Sequence, residues 1–326
     1  MIVKIFDNGW GADFPLKRLE QTIVDRYLEH DTQQTVLINS TWYTQEYHKQ
    51  VITELRTMQF NRIVLVSMLD APIPDPSWYA EFNCPVNAVG YYPGNDTIDF
   101  WALTVSQHFD KPVYDVMNVN LIDRPYMCLN RKPHWHRRQL YQQLQQLNIV
   151  DYGIVSMGGD NAPAERVLEQ DAGTCDLAPN AGTEQNGIAN DIMSLGYPGN
   201  WQRCFLNVVT ETQFDIQKFY FVSEKIYKPI LGYRPFLVYA TDGAVAWLTE
   251  RGFENYTQDF KDISDLDLSS PENLAPFLAT LCYQPRQYWQ AKFVALKDKI
   301  MYNNNNFYKY VTSINNQIAK GIQCQI

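Results

Sequence analysis

The sequence lacks any apolar run near the roughly 18 residues that span a bilayer, so no membrane-spanning helix is expected. Basic residues are in deficit: 27 Lys and Arg against 36 Asp and Glu leave a formal charge of −9. That balance argues against broad, sequence-independent nucleic-acid binding, which needs a basic face; a nucleic-acid substrate held by a local basic patch stays open. Cysteine is sparse and unpatterned. Cys84, Cys128, Cys175, Cys204, Cys282 and Cys324 form no CxxC pair and no metal-ligand spacing, and in a chain of this size they read as reduced, cytoplasmic thiols. Metal-binding patterns are missing too. His134 and His136 stand at i, i+2, which do not share a helix face, and the one Asp-x-Asp, Asp265-Leu266-Asp267, follows no apolar strand. No metal and no resident cofactor are expected. Phe14 stands where Gly9-Trp10-Gly11 would need a third glycine, which weakens a nucleotide-dependent oxidoreductase or epimerase. There is no internal repeat.

What the chain does have is a hydrophobic fraction of 45% and an aromatic fraction of 14% over 326 residues, enough for two packed domains. Met1 to Asp7 reads as a strand that opens the fold, since an acidic residue and Gly9 arrive too soon for a signal peptide. Apolar runs at Ile2–Phe6, Thr35–Asn39 and Ile63–Ser67 alternate with helical stripes at Leu16, Leu19, Ile23, Tyr27 and at Tyr47, Val51, Leu55, Met58. A weaker strand (Val86 to Tyr92) and a helix near Asp99 to His108 close this block. A second block opens at Tyr126–Asn130 and continues with a helix on Leu140, Leu144 and Leu147 and a strand at Gly153–Ser156. Long loops are expected from Met157 to Gly199. Then come strands at Phe205–Thr210 and Pro235–Tyr239, and helices starting near Ser223 and after Asp242-Gly243. The end is helical on Trp289, Phe293, Leu296, Ile300 and on Val311, Ile314, Ile318, with a break expected at Asn303–Asn306 because asparagine favours turns. Short buried strands separated by amphipathic helices are the pattern of parallel βαβ units. The expectation is an α/β chain of two Rossmann-like lobes facing a cleft, residues 1–118 and 119–326, with C-terminal helices. Ligands then bind beyond the carboxyl ends of the strands.

Ser223 is a good N-cap, with Glu224 and Lys225 in the first turn and Lys228 one turn later. Backbone N–H groups and the helix dipole favour anions there, and two lysines add mobile positive charge, which suits a diphosphate clamp. Glu211, at the preceding strand end, and Glu224 can accept hydrogen bonds from ribose hydroxyls. The same residues also make an ordinary capped surface helix with a Glu224–Lys228 i, i+4 pair.

Glu211 after an apolar strand, then Ser223-Glu224-Lys225-Ile226-Tyr227-Lys228-Pro229-Ile230, then Gly232-Tyr233-Arg234-Pro235-Phe236, resembles the donor-binding half of the α-fucosyltransferase family and of related viral and bacterial glycosyltransferase-like proteins. The resemblance covers roughly residues 126–256. It implies a GT-B fold whose C-terminal lobe grips the nucleotide and diphosphate of a nucleotide-sugar donor through this region. The family's usual Arg-Asn after the Glu-Lys is Lys228-Pro229 here, which leaves the donor sugar open.

A second constellation, Asn130-Arg131-Lys132-Pro133-His134-Trp135-His136-Arg137-Arg138, follows a strand and enters a helix. Its Asn-Arg…His-Arg pattern is similar to the opening of the donor lobe in those proteins. Arg131 offers bidentate recognition of phosphate, with His136 and Arg137 beside it. Cations are unfavourable at a helix N-terminus, which suggests an anionic partner; the alternative is a solvated basic helix start. Ser156, before Gly158-Gly159, lines the same cleft. An inverting transfer needs a base near the acceptor hydroxyl, and Asp7 and Asp70, each following a strand, are placed for it; strand-end aspartates are also common turn and cap residues. The expected activity is transfer of a hexosyl or deoxyhexosyl group from a nucleotide-diphosphate donor to a hydroxyl of a glycan, a protein or a modified DNA base, inverting and metal-independent. The alternative is a non-catalytic glycan- or nucleotide-binding protein, which would keep Trp10, Trp42, Trp78, Tyr91 and Tyr92 for stacking and would not need the Arg/Lys cluster.

Overall fold

The structure, a computed structural model, describes residues 2–6, 24, 28, 33–39, 44–66, 81–82, 84–89, 99–108, 117–130, 132–159, 195, 197–212, 214, 222–240 and 243–323. These fall into two compact units: residues up to Thr104 together with the chain from Val311, and Val105 to Tyr310. Leu16, Leu19, Ile23-Tyr27 as a helical stripe, and the Met157–Gly199 loops beyond Gly159 up to residue 194, lie outside the described residues or on single positions within them.

The first unit holds a parallel sheet of β1 (Ile2–Phe6), β2 (Thr35–Asn39), β3 (Arg62–Val66) and β4 (Val86–Val89), paired in that order. β2 is buried at every position, as expected of a parallel strand covered on both faces. Helix α1 (Gln45–Leu55) starts where the Thr44 hydroxyl accepts from the Tyr47 N–H at 3.1 Å, and it buries Val51, Ile52 and Leu55. These pack with Phe6, Val36, Ile38, Ile63, Leu65, Phe82 and Val86 into one core. Helix α2 (Phe100–His108) is capped by Asp99, whose carboxylate accepts from the Ala102 N–H at 2.9 Å.

The second unit has four parallel strands: β5 (Arg124–Asn130), β6 (Ile154–Met157), β7 (Cys204–Thr210) and β8 (Phe236–Tyr239), in spatial order β6-β5-β7-β8. The chain leaves β5 to one side for β6, then returns to β5's other side for β7. The strand order therefore reverses between β5 and β7. In open α/β sheets that reversal opens a crevice at the carboxyl ends of the two strands.

Helix α3 (Trp135–Gln146) follows β5 and buries His136, Arg137, Leu140, Tyr141 and Leu144, one face at helical spacing. The sequence stripe is corrected at its end: Leu147 is the exposed C-cap. Short helix α4 (Pro198–Arg203) leads into β7, and α5 (Glu224–Leu231) leads to β8. A Cβ on Gly232, which ends α5, would come within 2.3 Å of the Trp201 ring, so the close seating of α5 requires glycine there. Gly243 takes φ 96° as it caps α6 (Ala244–Glu250).

The C-terminal helices are α7 (Leu274–Cys282), α8 (Arg286–Ala295) and α9 (Lys297–Gln323). The expected break at Asn303–Asn306 is absent: α9 runs through it, and the chain breaks earlier, at Leu296. The reason lies in tertiary partners. Asn303 accepts from the Glu254 N–H and donates to the Glu254 carbonyl, both at 2.8 Å. Asn304 donates to Ile230 O at 3.1 Å and Asn306 to Arg251 O at 3.2 Å. Side chains engaged with loop backbone no longer compete for their own helix. No helix among the described residues is long and apolar enough to cross a membrane.

Candidate functional site

Three strand ends meet at the β5/β7 reversal, and Asn130 ties them. Its N–H donates to Ser156 Oγ at 3.1 Å, its carbonyl accepts from the Gly158 N–H at 2.7 Å, its Oδ1 accepts from Thr210 Oγ1 at 2.5 Å, and its Nδ2 contacts Cys128 Sγ at 3.3 Å. With Asn130 1% and Ser156 0% exposed, these two candidates form the bonded floor of the crevice. A buried polar group costs free energy unless bonded, and this network meets that condition.

Glu211, just past β7, is the hub above that floor. It is fully buried. Its carboxylate accepts from the Ser223 N–H at 3.1 Å and from Ser223 Oγ–H at 2.6 Å. Its backbone carbonyl accepts from His136 Nε2 at 2.8 Å and from an Arg137 terminal nitrogen at 3.1 Å. Since a carbonyl only accepts, His136 Nε2 carries a proton. Arg137 also donates to Thr210 O at 3.0 Å and to Lys132 O at 3.2 Å. His136 and Arg137, 1% and 3% exposed, thus fasten the β5–α3 loop to the end of β7, and Ser223 fastens the start of α5 to the same residue.

Ser223 caps α5 as expected, its Oγ accepting from the Lys225 N–H at 3.4 Å. The first turn is already acidic. Glu224, 4% exposed, pairs with Lys225 Nζ at 2.5 Å. Burial alone would push the Glu224 carboxyl up, but the Lys225 and Lys228 ammonium groups and the Lys225 hydrogen bond hold it below its usual value. Burial pushes the Glu211 carboxyl up, against the pull of Lys225 and the Ser223 bonds. Lys225 Nζ also reaches Thr212 Oγ1 at 3.2 Å and Ser223 Oγ at 3.4 Å, and its side chain keeps 29% of its surface exposed. It is the candidate cation that reaches both the hub and solvent.

The field at this edge is positive. His134 is brought down to about 4 by burial first and then by the charges of Arg137, His136, Lys132 and Lys225. Aromatic rings from the start of α3, from beyond β7 and from the end of β8 pack beside these residues. Phe214 stacks on His136 at 5.0 Å between centroids and lies 5.1 Å from Tyr239. Trp135 meets Phe214 and His136 edge to face at 5.3 and 5.7 Å. The sequence reading left out Thr210, Thr212, Trp135 and Phe214 as site residues; the available signal was an aromatic residue inside a basic stretch at a strand's carboxyl edge.

Of the residues singled out in the sequence, Asn130, His136, Arg137, Ser156, Glu211, Ser223, Glu224, Lys225 and Lys228 all belong to this unit, and all but Lys228 are joined through the bonds above. Arg131, Asp7 and Asp70 lie outside the described residues. Asp267 is taken up by Ser269, accepting from its N–H at 3.0 Å and its hydroxyl at 2.6 Å. Among the described residues no group of three or more His, Cys, Asp or Glu side chains is arranged to hold a metal ion.

No family model matches the chain, and no curated protein matches it. Among solved structures it is similar to an alpha1,3-fucosyltransferase, at 9% identity and a TM-score of 0.37 over 84% of this chain and 87% of that one. It is also similar to a UDP-forming trehalose-phosphate synthase from Burkholderia xenovorans, at 11% identity and a TM-score of 0.35 over 94% of this chain and 79% of that one. Likenesses this weak carry no argument about activity, which rests on the residues themselves.

Proposed function

We propose that the chain is a glycosyltransferase that takes a sugar from a nucleotide-diphosphate donor, with residues 119–326 as the donor-binding lobe and residues 1–118 as the acceptor lobe of a GT-B arrangement. The supporting observation is the Glu211 hub. One buried residue joins the start of α5, with Lys225, to His136 and Arg137 at the start of α3, at the reversal point of a parallel sheet. Breaking the glycosidic bond leaves negative charge on the nucleoside diphosphate, and preorganised cations there lower the barrier. In this reading Lys225, Lys228 and Arg131 take that role, while Asn130 and Ser156 hold the floor. In the same reading Glu224 accepts from ribose hydroxyls. Glu211 has its carboxylate engaged by Ser223, so it acts by positioning.

In this reading Asp7 or Asp70 removes the acceptor proton, transfer inverts the sugar carbon, and no metal is required. The free thiols of Cys84, Cys128, Cys204 and Cys282 suit a reducing, cytoplasmic setting. The test is a thermal-shift screen of the full chain against UDP, GDP, CDP, ADP and dTDP and their sugar conjugates, with and without EDTA. Selective stabilisation by one nucleoside diphosphate, unchanged by EDTA, is the expected result. No shift with any of them would favour a glycan-binding role instead.

A further inference from the structure

Trp135 stands at the first position of α3, in the loop that Arg137 and His136 fasten to the end of β7, yet 52% of its surface is exposed. Exposing a large aromatic side chain at the carboxyl edge of the sheet forgoes apolar burial. The ring is nonetheless held. It meets Phe214 and His136 at interplanar angles of 83° and 81°, and Phe214 rests in turn on His136 and Tyr239. His136 is fixed by its bond to Glu211 O. The support beneath Trp135 is therefore a chain of packed rings ending on the hub.

The surroundings of this ring are cationic. Lys132 and Arg138 are exposed on the same loop and first turn, and Lys225 reaches the hub from α5. A half-exposed aromatic ring held in place on a segment that also carries exposed cations is suited to a ligand that is planar and apolar at one end and anionic at the other. A flat heteroaromatic ring stacks on such a face whichever base it is, because every base has a π-face. A saturated sugar ring with no charge would use the aromatic residue but not the cations, and inorganic phosphate the reverse.

We propose that Trp135 is the stacking platform for the nucleobase of the donor, with the diphosphate reaching from it toward Lys225. This inference rests on the reading of the site as a nucleotide-sugar site and adds which end of the nucleotide each side takes.

The test is calorimetric titration of the full-length wild type, Trp135→Ala and Trp135→Phe with UDP, GDP and inorganic pyrophosphate. Thermal melting of each variant checks folding, which a half-exposed residue leaves intact. The expected result is that Trp135→Ala weakens the binding of the nucleoside diphosphate about 10- to 100-fold while pyrophosphate binding is unchanged, and that Trp135→Phe recovers most of the loss. Equal weakening of nucleoside diphosphate and pyrophosphate would overturn the proposal, since Trp135 would then act only by holding its loop. Unchanged nucleoside diphosphate affinity in Trp135→Ala, with the wild type binding, overturns it while leaving the nucleotide-sugar reading standing. Failure of the wild type to bind any nucleoside diphosphate overturns both.

Discussion

The buried carboxylate of Glu211 accepts two hydrogen bonds from Ser223, one from its N–H at 3.1 Å and one from its hydroxyl at 2.6 Å. The same serine caps α5. The end of β7 and the start of α5 are thereby set against each other by one residue pair, and Lys225 projects from the junction.

Ser223→Ala removes the cap and leaves one Glu211 oxygen buried without its hydroxyl donor. The expected cost is roughly 1–3 kcal/mol of stability, seen as a lower urea midpoint at unchanged slope. Ser223→Thr, which keeps the hydroxyl, is expected to lose less.

The raised carboxyl of Glu211 has a signed consequence for pH. Above the ordinary value of 4.5 the unfolded chain has shed a proton that the folded chain still holds. Stability from this group is therefore complete at low pH and falls as pH rises through the folded value. Glu211→Gln removes that dependence, so the mutant should gain on the wild type as pH increases from about 4.5. Parallel stability curves in a pH series of urea titrations would contradict the assignment.

His134 runs the other way. Its ordinary value of 6.5 falls to about 4 in the folded chain, so its share of stability is present above 6.5 and is lost as pH drops toward 4. Histidine NMR titration should find this ring neutral through the physiological range. Lys225→Ala and Lys132→Ala, each removing a nearby cation, should both move its midpoint upward.

Asn303→Ala should destabilise by roughly 1–3 kcal/mol, because both the N–H and the carbonyl of Glu254 lose their side-chain partner. Chemical denaturation monitored by far-UV circular dichroism measures it. A neutral result would mean that α9 continues through the asparagine run for another reason.

These residues also mark what could be learned from the sequence. Strands β2, β3 and β7 were legible as short, β-branched apolar runs and β5 as a short apolar run, the pattern of buried parallel strands. The start of α5 was legible because Ser223 is a strong cap. Helix α7, Leu-Ala-Pro-Phe-Leu-Ala-Thr-Leu-Cys, buries Leu274, Phe277, Leu278 and Leu281 at helical spacing, but it is short and carries Pro276, which reads as a helix breaker. The continuity of α9 was hidden because it depends on Glu254, Ile230 and Arg251, which are distant in sequence. At the site, residue types marked these loops as candidates, but which side chains face inward was not readable. That Arg137 and His136 face inward to backbone carbonyls, leaving Lys225 outward, follows from packing around Glu211 that no local pattern encodes.

In the proposed function Lys225, held by the Glu211–Ser223 junction, binds the diphosphate of a nucleotide donor. Calorimetric titration of wild type and Lys225→Ala with the nucleoside diphosphate that stabilises the chain most is its most direct test. Measurable binding by the wild type and about 10- to 100-fold weaker binding by the variant are expected, with the variant folded but less stable because the buried Glu224 carboxylate loses its Lys225 partner. Equal affinity in the two proteins, or no nucleoside diphosphate bound by the wild type, would contradict it.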